Sequence, residues 1–116
     1  MSVNAYLNNQ RAAETSRQTE YRLFAEITRE LIKAKERHEK GEMDSFVLSA
    51  INRNVELWNV LMIDLVQPEN QLPEALRAQL VSIALWVDRH SIAFRHGKAT
   101  MDALIEVNRS IMGGLQ

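Results

Sequence analysis

The sequence predicts an all-α fold: a small antiparallel four-helix bundle with a loosely held N-terminal tail. Three observations predict it. Four glycines and two prolines in 116 residues leave little material for the turns of a β-fold. Apolar residues recur at spacings of three and four between those punctuation points, as in amphipathic helices. The segments so divided are four, joined by short links, which is the pattern of an up-and-down bundle. The length suits one domain, so residues 1–15 are read as a flexible tail and 16–116 as a single helical domain.

The first segment covers about residues 16–40. Thr15 with Gln18 fits a capping box, and Ser16 is the alternative cap. Leu23, Phe24, Ile27, Leu31, Ala34 and His38 fall on one side at 100° per residue, and Gly41 is the natural stop. The second segment, about 44–66, takes Asp44 or Ser45 as cap. Its stripe is Val47, Ile51, Val55, Trp58, Leu61, Met62 and Leu65, with Asn54 inside it. Leu57, Val60 and Ile63 lie outside the stripe. A helix apolar over so much of its circumference is expected to be central, with more than one neighbour.

Pro68, Asn70 and their neighbours mark a turn. Pro73 suits the first position of a third helix, where its missing N–H costs nothing. That helix runs to about Arg95. Leu76, Leu80, Ile83, Val87, His90 and Phe94 form its main face, and Val81, Leu85 and Ile92 form a second, smaller one. The fourth segment follows Gly97, with Thr100 as cap and Gly113–Gly114 as stop. Its stripe is Met101, Leu104, Val107, Asn108, Ile111 and Met112. Asn54 and Asn108 are the polar members of apolar stripes. A buried amide must be paired, and pairing fixes the register between helices.

Composition excludes several functions. Lys and Arg total 14 against 15 Asp and Glu, a net charge of −1. That argues against nucleic acid in general and anionic membranes, which require surplus positive charge. No cysteine is present, so thiol chemistry and thiolate metal sites are ruled out. His38, His90 and His96 have no metal-ligand spacing, and no phosphate loop or nucleophile elbow occurs. Neither an enzyme nor a metal or cofactor is expected. The N-terminus lacks the basic and apolar regions of a secretory signal. Its longest apolar runs fall far short of the ~20 residues a membrane span needs, so no membrane insertion is expected and the chain is read as cytoplasmic.

Binding surfaces remain. The second face of the third helix, Val81, Leu85 and Ile92, together with Val60 and Ile63 of the second, is expected to cover a partner helix. Trp58 is packing by default and an interface anchor as the alternative. A basic stripe, Arg29, Lys33, Arg37 and Lys40, is offered to RNA phosphates or an acidic partner. Glu26, Glu30, Glu36 and Glu39 neutralise it, and no aromatic platform for base stacking lies within it.

The stretch Asp64-Leu65-Val66-Gln67-Pro68-Glu69-Asn70-Gln71-Leu72-Pro73, continuing through Arg77-Ala78-Gln79-Leu80, resembles the FlaF family of flagellar biosynthesis regulators of alphaproteobacteria. The ending Leu104-Ile105-Glu106-Val107-Asn108-Arg109-Ser110-Ile111 is similar to that family too. The likeness covers nearly the whole length and is loose before residue 40. It implies a helical cytoplasmic protein needed for flagellin production and export. In that family the role is flagellin secretion chaperone, paired with FlbT, a regulator acting on flagellin messenger RNA. The partners so implied are the terminal helices of flagellin, FlbT and the flagellar export apparatus. The resemblance marks Trp58, Asp64, Pro68, Glu69, Asn70, Leu72, Pro73 and Arg77, by partner contact or by the needs of the turn.

Overall fold

The computed structural model describes residues 3–115, and the side chains of residues 18–114. It contains α1 (Val3–Glu39), α2 (Ser45–Leu65), α3 (Glu74–Arg95) and α4 (Asp102–Leu115). No strand occurs among the described residues. The class and the helix count are those the periodicity predicts.

Sequence chemistry explains most of the ends. Gly41 at φ 83° and Gly97 at φ 72° adopt the left-handed conformation that closes a helix. At the first, Glu42 N–H reaches Arg37 O and Gly41 N–H reaches His38 O; at the second, Lys98 N–H reaches Ala93 O and Gly97 N–H reaches Phe94 O. Both are Schellman closures. Asp44 caps α2, its carboxylate accepting from Val47 N–H at 3.1 Å.

Four expected boundaries move. The helix that was to begin near residue 16 begins at Val3, so Thr15 and Ser16 lie within α1 and do not cap it. The backbone shows no break at residue 15, where the tail was placed; the side chains up to Arg17 lie outside the described residues. Pro73 stands at the N-cap of α3, one position earlier than expected. In α4 the cap position falls to Met101, whose carbonyl accepts from Ile105 N–H at 3.1 Å, and not to Thr100. Gly113 and Gly114 are helical and do not end α4; glycine only weakens a helix when the termini are otherwise held.

α1 packs on α2 and on α4, and α2 packs on α3. α3 and α4 have at most a marginal contact, so three sides of the square are closed and the fourth is open. The ion pair of Arg53 with Glu30 and the edge-to-face rings of Phe24 and Trp58, 5.7 Å apart, fix the α1–α2 register. Leu65 then lies level with about Gln18, and the first four turns of α1 run past the end of α2. This explains a longest dimension of 54 Å, close to the roughly 55 Å of a 37-residue helix.

The core draws Phe24, Leu31 and Ala34 from α1, Val47, Ile51 and Trp58 from α2, Val87 and Phe94 from α3, and Met101, Leu104 and Ile105 from α4. A polar relay crosses it. Trp58 Nε1–H donates to Asn108 Oδ1 at 2.9 Å, and Asn108 Nδ2 donates to Asn54 Oδ1 at 2.8 Å. Asn54 and Asn108 are fully buried. As their position in apolar stripes predicts, they are paired, and they tie α2 to α4 across the diagonal. Among the described residues three buried polar atoms lack partners, Asn54 Nδ2, Thr28 Oγ1 and, in α3, Arg77 Nε, and the α1–α2 register puts the first two residues at one level.

Candidate partner-binding surface

The open fourth side is a groove. Glu20 and Phe24 of α1, Leu61 of α2, Leu72 of the α2–α3 turn, Leu76 and Leu80 at the start of α3, and Ser110, Ile111 and Gly114 of α4 line it. Its volume is about 390 Å³, and its wall is mostly hydrocarbon. Leu76 and Leu80, four residues apart, share one side of α3, and Leu72 of the preceding turn extends that wall. Leu76 and Leu80 belong to the face that periodicity assigns to the core. Further along, Ala84, Val87, Ser91 and Phe94 are enclosed, while Leu76 is 40% exposed and Leu80 half-buried. Periodicity shows that a face is apolar; it does not show where the covering helix stops.

The second apolar face of α3 is a separate surface. Leu85 and Ile92 are exposed and Val81 is half-buried. On α2, Val60 and Ile63 are exposed, at 67% and 61%, with Val66 beside them. α2 is therefore central, as its wide apolar circumference predicts, flanked by α1 and α3 and bare on its outer side. Trp58 does not join these residues. It is 1% exposed and its indole N–H is taken by Asn108, so it is a core residue with no access to a partner.

The residues marked by the family motif build the α2–α3 turn. Asn70 Nδ2 donates to Asp64 O and to Asp64 Oδ2, both at 3.2 Å, and Asn70 Oδ1 accepts from Leu72 N–H at 3.0 Å. One side chain thus spans the end of α2 and the approach to α3, an Asx turn with an extra anchor. Gln67 N–H reaches Asp64 O at 3.2 Å. Pro68, Glu69 and Leu72 stand exposed on this turn, Pro73 opens α3, and Arg77 N–H reaches Pro73 O at 3.0 Å. Arg77 is half-buried and its Nε has no partner among the described residues. Leu72 serves both turn and groove.

The basic stripe is divided. Arg37 is committed to the α1–α2 turn: it pairs with Asp44 and with Glu42 at 3.5 Å, and lies over the Phe46 ring at 5.3 Å. The Arg37 guanidinium holds the Asp44 carboxyl below its ordinary value, with the Val47 N–H adding to the effect. Arg29, Lys33 and Lys40 are exposed and make no ion pair among the described residues. Lys35, outside the stripe, pairs with Asp102 and so joins α1 to the start of α4.

The histidines do structural work at one end of the molecule. His90 Nε2 lies 2.7 Å from Thr100 O and its ring stacks on Trp86. His38 meets the Phe94 ring edge-on, and His96 Nδ1 lies 2.9 Å from Ile92 O. Among the described residues no three His, Asp or Glu side chains gather as a metal site would require, and no helix is long and apolar enough to cross a membrane.

No curated protein and no solved structure matches the chain. One protein-family model does, described as flagellar protein FlaF, and it matches residues 2–115. That match takes in the turn anchored by Asn70, the Asn54–Trp58–Asn108 relay and every wall of the groove. The chain belongs to the FlaF family of flagellar proteins.

Proposed function

We propose that this protein is a cytoplasmic flagellin-binding secretion chaperone that promotes flagellin production and export. One observation carries the reading: a member of a flagellar family leaves large apolar side chains uncovered on a bundle of only 116 residues. Scattered exposed leucines need no explanation, whereas an apolar groove and a separate row of exposed aliphatics do. Flagellin's terminal helices are the proposed client, with one apolar side each and little order before assembly. Covering that side would keep the client soluble and unpolymerised until the export apparatus takes it. Ordering a flexible segment costs several kcal/mol, so binding of moderate strength is expected.

Calorimetric titration of monomeric flagellin into the purified protein tests this. Heat, saturation at a defined ratio and a shift to a larger species on gel filtration are expected. Their absence would reject the chaperone reading.

A second reading is a post-transcriptional regulator acting on flagellin messenger RNA, directly or with FlbT. The exposed and unpaired Arg29, Lys33 and Lys40 favour it. It requires RNA binding that weakens steeply with salt, and an unchanged mobility of the leader RNA at low salt would count against it.

A further inference from the structure

We infer that the α3–α4 groove, not the outer row of Val60, Ile63, Leu85 and Ile92, is the seat for one amphipathic helix of the client, with basic residues along that helix's flank. The inference rests on the chaperone reading and adds where and how the client is held.

The occupant is a helix because of the shape of the gap. Three of the four edges of the bundle are packed, and the missing one separates two roughly antiparallel helices. An element laid there meets α3 on one side, α4 on the other and Phe24 and Leu61 beneath. Leu76 and Leu80 have the four-residue repeat into which the ridges of another helix fit, and Leu72 of the turn continues the wall. Opposite it, Ser110 and Gly114 are small and allow close approach. A strand would bring unpaired backbone groups into an apolar trough, whereas a helix arrives with its hydrogen bonds already made. The outer row has no such walls: its residues lie on the convex backs of α2 and α3, with Val60 and Ile63 the most exposed of all.

The charge of the flank follows from the lip. Glu20 is the charged residue lining the groove. The α2–α3 turn brings Glu69 and Glu74, both exposed, to the same end of the molecule. A client helix with lysine or arginine beside its apolar face complements that lip, and electrostatic matching sets orientation more than strength.

The test uses the full chain and monomeric flagellin, with Leu76→Asp and Ile111→Asp in the groove and Ile63→Asp and Leu85→Asp on the outer row. All four positions are exposed or half-buried, and circular dichroism confirms folding. The groove variants are expected to weaken binding tenfold or more and the outer variants less than twofold; Glu20→Lys is expected to weaken it three- to tenfold. Hydrogen exchange on the unmutated complex should show new protection over residues 72–80 and 110–114. Wild-type affinity in both groove variants, or no protection there while flagellin is bound, overturns the groove and leaves the chaperone reading intact. Failure of flagellin to bind the unmutated protein overturns both.

Discussion

Replacing Asn108 by alanine should bring the bundle close to unfolding. The substitution removes both bonds of the relay at once. It strands the Trp58 indole N–H, previously 2.9 Å from its acceptor, and leaves Asn54 Oδ1 without its donor. All three residues are at most 1% exposed, so water cannot replace the lost partner without opening the core. Each stranded group costs about 1–3 kcal/mol. The missing amide leaves a small void worth about 1 kcal/mol more. The total is about 3–7 kcal/mol, against a whole-domain stability of roughly 6–17 kcal/mol for a chain of this length. Urea unfolding followed by tryptophan fluorescence and by far-ultraviolet circular dichroism measures it. A loss under about 1 kcal/mol would refute the claim that the relay holds α4 to α2. The near-isosteric Asn108→Asp sharpens the test. It keeps an acceptor for Trp58, loses the donor to Asn54 and buries a carboxylate, whose pKa must rise above the unfolded value of about 3.9. The folded form then binds the proton more tightly than the unfolded one. Stability must therefore increase as pH falls through the folded-state pKa, opposite to the usual acid limb.

Thr28→Val is expected to raise stability by about 1 kcal/mol, because Thr28 Oγ1 is buried without a partner and valine has nearly the same shape; a loss in the same urea experiment would mean the hydroxyl is paired after all. Gly41→Ala should cost about 1–2 kcal/mol through the left-handed backbone alone, since nothing lies within 4 Å of an added Cβ; a neutral result by thermal melting would show that the turn can relax. For Asp44→Asn the effect is on pH dependence. The Asp44 carboxyl is held below its ordinary value by Arg37, so its contribution is complete above the unfolded pKa and fades as pH falls through the folded one. The variant should be less stable at pH 7 and show a flatter decline below about pH 4, and identical slopes in parallel acid titrations would contradict the ion pair. Asn70→Ala should leave the core intact but free the α2–α3 turn, giving faster cleavage between residues 66 and 73 under limited proteolysis.

Much of this architecture is legible in the sequence because the cues are local. Gly41 and Gly97 announce left-handed closures, Asp44 announces a cap, and Asn54 and Asn108 announce a buried pairing by standing where apolar residues belong. What periodicity could not provide was the extent of coverage. Val81, Leu85 and Ile92 read as a spare face, and two of the three are indeed exposed. Yet the concave surface is made by Leu72, Leu76 and Leu80, two of which read as ordinary core. The difference arises because α4, at 14 residues, is shorter than α3, at 22, and has at most a marginal contact with it. Relative placement of helices is a property of the whole chain and leaves no mark on either helix alone. The helical backbone of residues 3–15 left no mark of that kind either. They lack an apolar stripe, which argues against a buried helix and not against a helix as such. Trp58 illustrates the remaining ambiguity, since a tryptophan in a stripe serves a core and an interface equally well until its N–H finds Asn108.

The two left-handed glycines share one end of the molecule, and that gives it a mechanical polarity. There the loops are short, Arg37 grips Asp44, His90 meets Thr100 and His38 rests on Phe94. At the far end α3 and α4 stand apart. The bundle is built like a clothes-peg, with a stiff spring at the glycine end and jaws at the other. Spreading the jaws strains few contacts, so a guest of slightly different girth can be gripped without remaking the interior. Native-state hydrogen exchange should register this directly as a gradient, fast at the mouth and slow at the spring.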